Sequence, residues 1–360
     1  MLPRTRIALT ALLGLALVAG TTWADLTDSL KKGTPDLKSI GPLAFGPAGV
    51  LFVGDPSGAA IFAIDTGDRG PATETGAVKM ENVDAKIASL LGIDKSQILI
   101  RDLAVNPASG NIYLSVSRGT GPDAAPVLLR LDRKGKMEEV ALKDVKFAKA
   151  TLPNAAEGKS RQESITCLAY VKNKVIVAGL SNEDFASRLR VIPFPFSAVD
   201  KGTGVQIYHG GHGRLETNAP VRTFVPYQIK GEDHVLAAYT CTPLVKFPVA
   251  ELKPGEKVKG TTVAEMGQGN RPLDMIIYEK GGKNYLLIAN SARGVMKMPL
   301  EGVDTVEPVS KPTKGTAGMK YETVKELQGV KQLAKLDKDQ ALLLVEEKDG
   351  KLRLETVPLP

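Results

Sequence analysis

GNRPLDMIIYEKGGKNYLLIANSARGVMKMPL, residues 269–300, is the stretch that decides the fold. It contains three segments rich in Ile, Leu, Val, Met and Tyr, which are residues that favour β-strands. The turn between the first two segments contains Gly281 and Gly282, and glycine permits the backbone angles of a tight hairpin. The stretch therefore predicts three consecutive antiparallel strands, at 272–278, 284–289 and 294–300.

The same three-strand unit occurs six times along the chain. The other five units occupy residues 39–65, 100–132, 164–193, 221–248 and 330–357. A weaker fourth strand is predicted after five of the units, at 77–83, 137–142, 204–208, 259–266 and 322–327. Such repeats are typical of the blades of a β-propeller. We therefore predict an all-β, six-bladed β-propeller closed by strands near both termini, with seven blades as the alternative because the third and fourth units carry long connections.

One short helical insertion interrupts this pattern. In VDAKIASLLGI, residues 83–93, Ile87, Leu90 and Leu91 have the i, i+3, i+4 spacing of one helix face, and Gly92 follows as a stop signal. The segment predicts a short helix on the rim between the first and second blades.

The first 24 residues have the pattern of an export signal. Arg4 and Arg6 precede an apolar run of 14 residues at 7–20, which is shorter than the roughly 20 residues of a membrane-spanning helix. We expect cleavage after Ala24, which leaves residues 25–360 as a single propeller domain in the periplasm or outside the cell. No later apolar segment is long enough to span a membrane.

Charge and cysteine content limit the partners. The formal net charge is +7, but basic and acidic residues are interspersed, which argues against nucleic acid and favours anionic ligands only weakly. We expect a monomer. Cys167 and Cys241 are the two cysteines of an exported chain, so a disulfide and two separate buried thiols both stay open.

Polar residues cluster where the chain enters the predicted inner strands. In propellers these strands line the channel, and the loops that enter them form one face. The candidate binding residues of this channel face are Arg101, Asp102, Glu163, Asn218, Asn270, Arg271 and Asp274. Because arginine forms bidentate bonds to carboxylates, we predict that this face binds an anionic small molecule or a periplasmic partner protein through Arg101 and Arg271, with Arg222 as a further candidate.

The segment YHGGHGRLETNAP, residues 208–220, is the second candidate site. His209, His212 and Glu216 offer donors that zinc and copper accept. The glycines between them predict a flexible loop rather than a helix. Three interpretations stay open: a structural loop with solvated histidines, a transition-metal site, and a pH-sensitive element that reaches the channel mouth as a lid or as a contact surface for a periplasmic partner.

Two stretches, PLAFGPAGVLFVGDPSGAAIFAID at 42–65 and RPLDMIIYEKGGKNYLLIANSARGVMKMPL at 271–300, resemble the NHL and SMP-30/gluconolactonase-like group of six-bladed propellers. The group includes lactonases whose calcium or zinc is held on the channel axis by Glu, Asn and Asp from separate blades. The resemblance implies Glu163, Asn218, Asn270 and Asp274 as the nearest counterparts. A metal-dependent lactonase or hydrolase is therefore the alternative to a binding platform, and a metal-binding or redox accessory protein is a second alternative.

Overall fold

Six β-sheets surround a central channel, so the protein is a six-bladed β-propeller, as predicted. The computed structural model describes residues 23–71, 76–241 and 243–360. Most of the predicted export signal lies outside the described residues, and export and the domain boundary at residue 25 stay predictions. Within these ranges no helix is long and apolar enough to cross a membrane.

The blades are numbered here by the chain order of their inner strands, and their strands are given from the channel outward. Blade one contains Leu43–Phe45, Val50–Asp55, Ala60–Asp65, Val145–Thr151 and Lys31–Gly33, and blade two contains Ile98–Val105, Ile112–Arg118, Ala125–Leu131 and Met137–Glu139. Blade three contains Cys167–Val171, Lys174–Leu180, Ser187–Pro193, Thr203–His209 and Arg214–Glu216, with Lys257–Lys259 parallel to Thr203–His209. Blade four contains Val221–Ile229, Glu232–Tyr239, Pro243–Pro248, Thr261–Met266 and Thr316–Gly318. Blade five contains Pro272–Lys280, Lys283–Asn290, Gly294–Pro299 and Glu322–Val324, and blade six contains Val330–Lys335, Gln340–Glu346, Leu352–Pro358 and Lys79–Met80.

The order of the blades around the ring differs from their order along the chain. Six hydrophobic clusters fill the interfaces between neighbouring blades, and they place blade one between blades two and three. Blade six packs against blade two. The ring therefore runs one, three, four, five, six, two, and returns to one.

Two outer strands each pair with a blade other than the one that they follow in the chain. The predicted strand at 77–83 was assigned to blade one, and this assignment is wrong: Lys79–Met80 pairs with Leu352–Pro358 and closes blade six. Blade one receives Val145–Thr151 instead, which follows blade two in the chain. The pattern of a strand shows that it is half-buried but does not specify its partner, so sequence alone did not reveal the exchange.

The described residues form two short α-helices, α1 at Trp23–Asp28 and α2 at Val83–Leu91, and α2 is the predicted helical insertion. The buried residues Val83, Ile87 and Leu91 of α2 pack against blades two and six, not against blades one and two as predicted. The predicted position is wrong because blade six, rather than blade one, borders blade two on that side. Short 3-10 helices occur at Pro47–Gly49, Lys95–Gln97, Gly158–Glu163 and Val249–Glu251.

A buried carboxylate joins the chain after blade one to blade two. Asp68, 9% exposed, accepts hydrogen bonds at Oδ2 from Ser109 Oγ (2.8 Å) and Asn111 Nδ2 (3.0 Å). The hydroxyl of Tyr113 donates a third, at 3.0 Å. Three donors of blade two thus converge on one acidic side chain, which fixes the register between the two blades.

The two cysteines are separate. Both thiols are free, Cys167 in the inner strand of blade three and Cys241 in a turn with φ of 59°. Cys241 lies outside the strands, because the strand Glu232–Tyr239 ends two residues earlier and Cys241 has a left-handed backbone angle.

Candidate functional site in the central channel

A cavity of about 490 Å³ occupies the channel, and all six blades contribute to it. Its lining includes residues of the inner strands and of the segments that enter them: Gly41, Pro42, Arg101, Asp102, Thr166, Cys167, Arg222, Thr223, Arg271, Leu273, Asp274 and Gln332. Lys159, Gln162 and Glu163 line it from the segment before blade three. Of the predicted channel-face residues, the structure brings Arg101, Asp102, Glu163, Arg271 and Asp274 together here.

Four inner strands contain a β-bulge at the same position, and the bulge directs additional side chains toward the cavity. The strand register shifts between Ile100 and Asp102 in blade two, and at the corresponding places in blades four, five and six. A bulge inserts one extra residue, so two consecutive side chains can face the same side. Arg101 and Asp102, which alternation would place on opposite faces, therefore both line the cavity.

Arg222, the further candidate for binding an anion, also lines the cavity. It occupies the same bulge position in blade four that Arg101 occupies in blade two. Val221 and Ile100 are each the apolar residue before the bulge, and an arginine follows each of them.

Two aspartates lie at the inner level of the cavity and connect neighbouring blades. Asp102 accepts hydrogen bonds from the backbone N–H of Leu103 (2.8 Å) and from that of Leu43 in blade one (2.7 Å). Asp274 accepts from Met275 N–H (2.8 Å) and from Leu333 N–H in blade six (2.8 Å). Each carboxyl group therefore has a structural role beside any contact with a ligand.

Burial reduces the negative charge that Asp102 and Asp274 carry near neutral pH. Loss of contact with water raises the pKa of Asp102 to about 7, although its two backbone hydrogen bonds act in the opposite direction. The pKa of Asp274 is raised well above its usual value, first by burial and then by the charge of Asp102. Burial also raises the pKa of the Cys167 thiol to about 12, so this thiol is protonated and donates toward Phe224 O at 3.7 Å.

Replacing Asp274 by Asn is expected to flatten the dependence of stability on pH. Because the folded-state pKa of Asp102 is about 7 and that of Asp274 is also raised, protonation of the pair stabilises the fold at low pH, and this stabilisation is lost as pH rises toward and through about 7. One proton changes the free energy of unfolding by at most about 1.4 kcal/mol per pH unit. The amide introduced at this position would not titrate, and it would remove the repulsion on Asp102.

The measurement is the urea midpoint between about pH 5 and 8. The amide also loses one backbone hydrogen bond, so the slope with pH, rather than absolute stability, is the informative quantity. Asp123→Asn, at an exposed position, is the matched control and should keep the wild-type slope. Equal slopes for D274N and wild type would contradict the assignment.

Basic side chains surround the outer part of the cavity. Arg222 Nη1 donates to Glu163 Oε1 (2.6 Å), and Arg222 Nε donates to Thr240 Oγ1 (3.0 Å). Arg101 Nε donates to Ser117 Oγ at 2.8 Å. Within the described ranges the Arg271 guanidinium has no hydrogen-bonding partner. Its pKa is lowered by burial and then by the charge of Arg222, but an arginine side chain stays protonated in proteins.

Asn218 and Asn270 do not line the cavity. Asn218 follows the outer strand Arg214–Glu216 of blade three. With its amide oriented to satisfy its neighbours, its nitrogen donates to Asp184 O at 2.9 Å. Asn270 is buried and accepts from Asn290 Nδ2 at 2.8 Å. Both amides serve the turns that precede an inner strand.

The residues present do not fit a channel metal of the lactonase type. Of the four implied ligands, Asn218 and Asn270 point elsewhere, and Glu163 forms an ion pair with Arg222. Both oxygens of Asp274 already accept backbone hydrogen bonds. Calcium and zinc require several oxygen or nitrogen donors around one point, which these four side chains do not provide.

His209, His212 and Glu216 do converge, away from the channel. Glu216 Oε2 lies 3.0 Å from His209 Nδ1, and Glu216 Oε1 lies 2.7 Å from His212 Nδ1. The three side chains form a hairpin cluster at the outer strands of blade three. No residue of 208–220 lines the channel cavity, so the hairpin cluster is separate from that site, and its interpretation as a lid stays a prediction.

Fold and cavity together define the class as a six-bladed β-propeller with a polar cavity in its channel. No protein-family model and no curated protein matches the sequence. Several solved structures are distantly similar. The PQQ-bound aldose sugar dehydrogenase of Streptomyces coelicolor is 13% identical with a TM-score of 0.34, and the match covers 91% of this chain and 96% of that one.

Two further structures show the same level of similarity. An engineered GH43 glycoside hydrolase with endo-xylanase and exo-arabinofuranosidase activity is 12% identical, with a TM-score of 0.38 over 73% of this chain and 51% of that one. The full extracellular region of plexin A4 is 10% identical, with a TM-score of 0.42 over 91% of this chain and 47% of that one. The chain thus spans about half the length of these two proteins. These similarities carry no argument about activity, and membership of the NHL and SMP-30/gluconolactonase-like group stays a prediction.

Proposed function

We propose that the channel cavity binds a small anionic molecule. One observation carries this proposal: the guanidinium groups of Arg101, Arg222 and Arg271, from blades two, four and five, line one cavity. Guanidinium groups recognise carboxylates and phosphates through paired hydrogen bonds, and they do so most strongly where water is partly excluded.

The charge balance of the cavity supports an anion. Lys159 adds a fourth basic group, whereas Glu163 is the acidic residue among the side chains of the outer part. Asp102 and Asp274 add less negative charge than two ordinary carboxylates because their pKa values are raised. A bound carboxylate would meet the Arg271 guanidinium, which has no partner among the described residues, without first breaking an ion pair.

Size and hydrogen bonding define the ligand more closely. The volume of about 490 Å³ lies within the range of roughly 300–1,000 Å³ that small-molecule sites occupy. Thr166 Oγ1 and Gln332 Oε1 are buried polar atoms of the lining, and neither has a partner within the described part of the chain. Small carboxylates fit both this volume and the three arginine groups.

Calorimetric titration of the purified protein with lactate, succinate and citrate tests the proposal. Arg271→Ala should weaken the tightest of these interactions by about 30-fold, or about 2 kcal/mol. The double variant R101A/R271A should show no binding. Arg271→Lys should lie between wild type and R271A because it keeps the charge but loses the paired geometry.

Arg353→Ala is the matched control, since Arg353 pairs with Glu347 and Glu355 of blade six and does not line the cavity. Unchanged affinity in R271A, or an equal loss in R353A, would contradict the proposal. Binding of an acidic peptide in place of the small carboxylates would instead favour a partner protein as the ligand of this face.

The proposed site of action is the periplasm or the exterior of the cell. Support comes from the basic and apolar pattern of residues 4–20 and the small residues before position 25. The protein is expected to act there as a monomer.

A further inference from the structure

We propose that the hairpin cluster of His209, His212 and Glu216 is a zinc site. One ligand atom from each of the three residues lies within 4.8 Å of the others. Two imidazoles and one carboxylate form a set of three protein ligands that leaves the fourth position of a tetrahedral zinc ion for water or another ligand.

Local backbone structure explains why the three side chains meet. His209 pairs with Arg214 and Ile207 pairs with Glu216 across the two antiparallel strands. Because residues two apart on a strand share a face, His209 and Glu216 are diagonal neighbours on one face of the hairpin. The N–H groups of His212 (3.1 Å) and Gly213 (2.8 Å) bond to His209 O. This tight turn stacks the His212 ring on the His209 ring, with centroids 3.8 Å apart.

Each Nδ1 atom lies closer to its own Glu216 oxygen than two ligand atoms of a loaded zinc site do to each other. Ligand atoms bonded at about 2.0–2.1 Å in a tetrahedron lie about 3.3 Å apart. The observed separations between Glu216 oxygens and the two Nδ1 atoms, 3.0 Å and 2.7 Å, are a few tenths of an ångström shorter. A small outward movement of the carboxylate therefore makes room for the ion.

His209 presents Nδ1 to the cluster. Its side chain is buried, with 1% of the residue exposed. Nδ1 lies 3.0 Å from Glu216 Oε2, so it is the nitrogen that an ion at this cluster would bind, in place of the proton shared with the carboxylate.

Charges around the cluster favour a cation. Glu265 is buried beside it and accepts the Gly210 N–H at 2.5 Å. Burial raises the pKa of Glu265 to about 7, so this carboxyl group adds only part of a negative charge, and Glu216 is the main anionic group of the cluster. Arg214 opposes this, but its Nε lies 3.4 Å from Glu216 Oε1 and its side chain is 72% exposed, so solvent screens it. Imidazole donors select zinc over calcium, which binds oxygen.

The test uses the full chain after treatment with EDTA, titrated calorimetrically with ZnCl₂. Wild type should bind one zinc ion per chain, whereas CaCl₂ should give no binding signal. His212→Gln and Glu216→Gln should each weaken zinc binding by about 100-fold. His234→Gln should bind as wild type does, because this third histidine lies outside the cluster and contacts Glu232 O.

His212 is the safest position to change, since its side chain is 42% exposed and the variant is expected to fold. The unfolding midpoint of zinc-free protein verifies this, and E216Q provides the second variant. R271A should retain full zinc affinity, which separates this site from the channel. Zinc binding that is absent in wild type, unchanged in both H212Q and E216Q, or equally lost in H234Q would overturn the proposal.

Discussion

Replacing Gly179 by alanine is expected to lower the free energy of unfolding by more than about 3 kcal/mol. A Cβ atom at this position would lie 2.0 Å from the carbonyl oxygen of Ser164 and 2.4 Å from its carbonyl carbon. Both are backbone atoms, so no rotation of a side chain relieves the overlap. Gly179 is therefore required by the close approach of two backbone segments in blade three.

The backbone of Ser164 is held on both sides of the contact. Its N–H donates to Arg161 O at 3.1 Å, and the next residues are fixed by the bond from Thr166 N–H to Ala178 O at 2.9 Å. Moving this segment also moves Thr166 and Cys167, which line the channel cavity. The substitution should therefore weaken ligand binding in the channel as well as stability.

Urea denaturation of G179A beside Gly70→Ala measures the effect. Gly70 is exposed, and a Cβ atom there meets nothing within 4 Å, so its substitution should change stability by less than about 0.5 kcal/mol. If the urea midpoint of G179A is as close to wild type as that of G70A, the backbones of residues 179 and 164 can separate at little cost in free energy, and the prediction is wrong.

Asp68→Ala is expected to cost about 3–5 kcal/mol. The change leaves Ser109 Oγ, Asn111 Nδ2 and Tyr113 OH without their shared acceptor. Ser109 and Tyr113 are buried, so water does not readily replace the lost carboxylate. Because the three donors belong to blade two and the acceptor follows blade one, the loss also loosens the contact between these blades.

A graded series separates this effect from a general surface effect. Tyr113→Phe removes one of the three bonds and should cost about 1 kcal/mol, well below D68A. Asp123→Ala, in an exposed loop of blade two, should be neutral. The assignment fails if chemical denaturation gives D68A and D123A the same stability.

The six-bladed architecture was accessible from sequence because each blade is defined by local patterns. Strand stretches such as Val50–Asp55 are buried along their whole length, and hairpin glycines separate them. The ring order was not accessible, since the partners of Val145–Thr151 and Lys79–Met80 lie far away in the chain. A local pattern carries no information about such distant pairing.

The two candidate sites were accessible to different degrees. Convergence of His209, His212 and Glu216 follows from their closeness in one short hairpin. In the channel, Arg101 and Asp102 were found from their place at a strand start, but strict alternation does not predict that both face inward. The bulge after Ile100 does this, and no sequence signal for bulges was recognised.

The exchanged outer strands affect how the chain folds while it is being synthesised. Lys79–Met80 is synthesised long before Leu352–Pro358, the strand with which it pairs. Until blade six is made, the apolar face of α2 and the adjoining face of blade two have nothing from blade six to cover them. The incomplete chain therefore exposes an apolar surface, and a chaperone that shields such surfaces should associate with it until blade six is available.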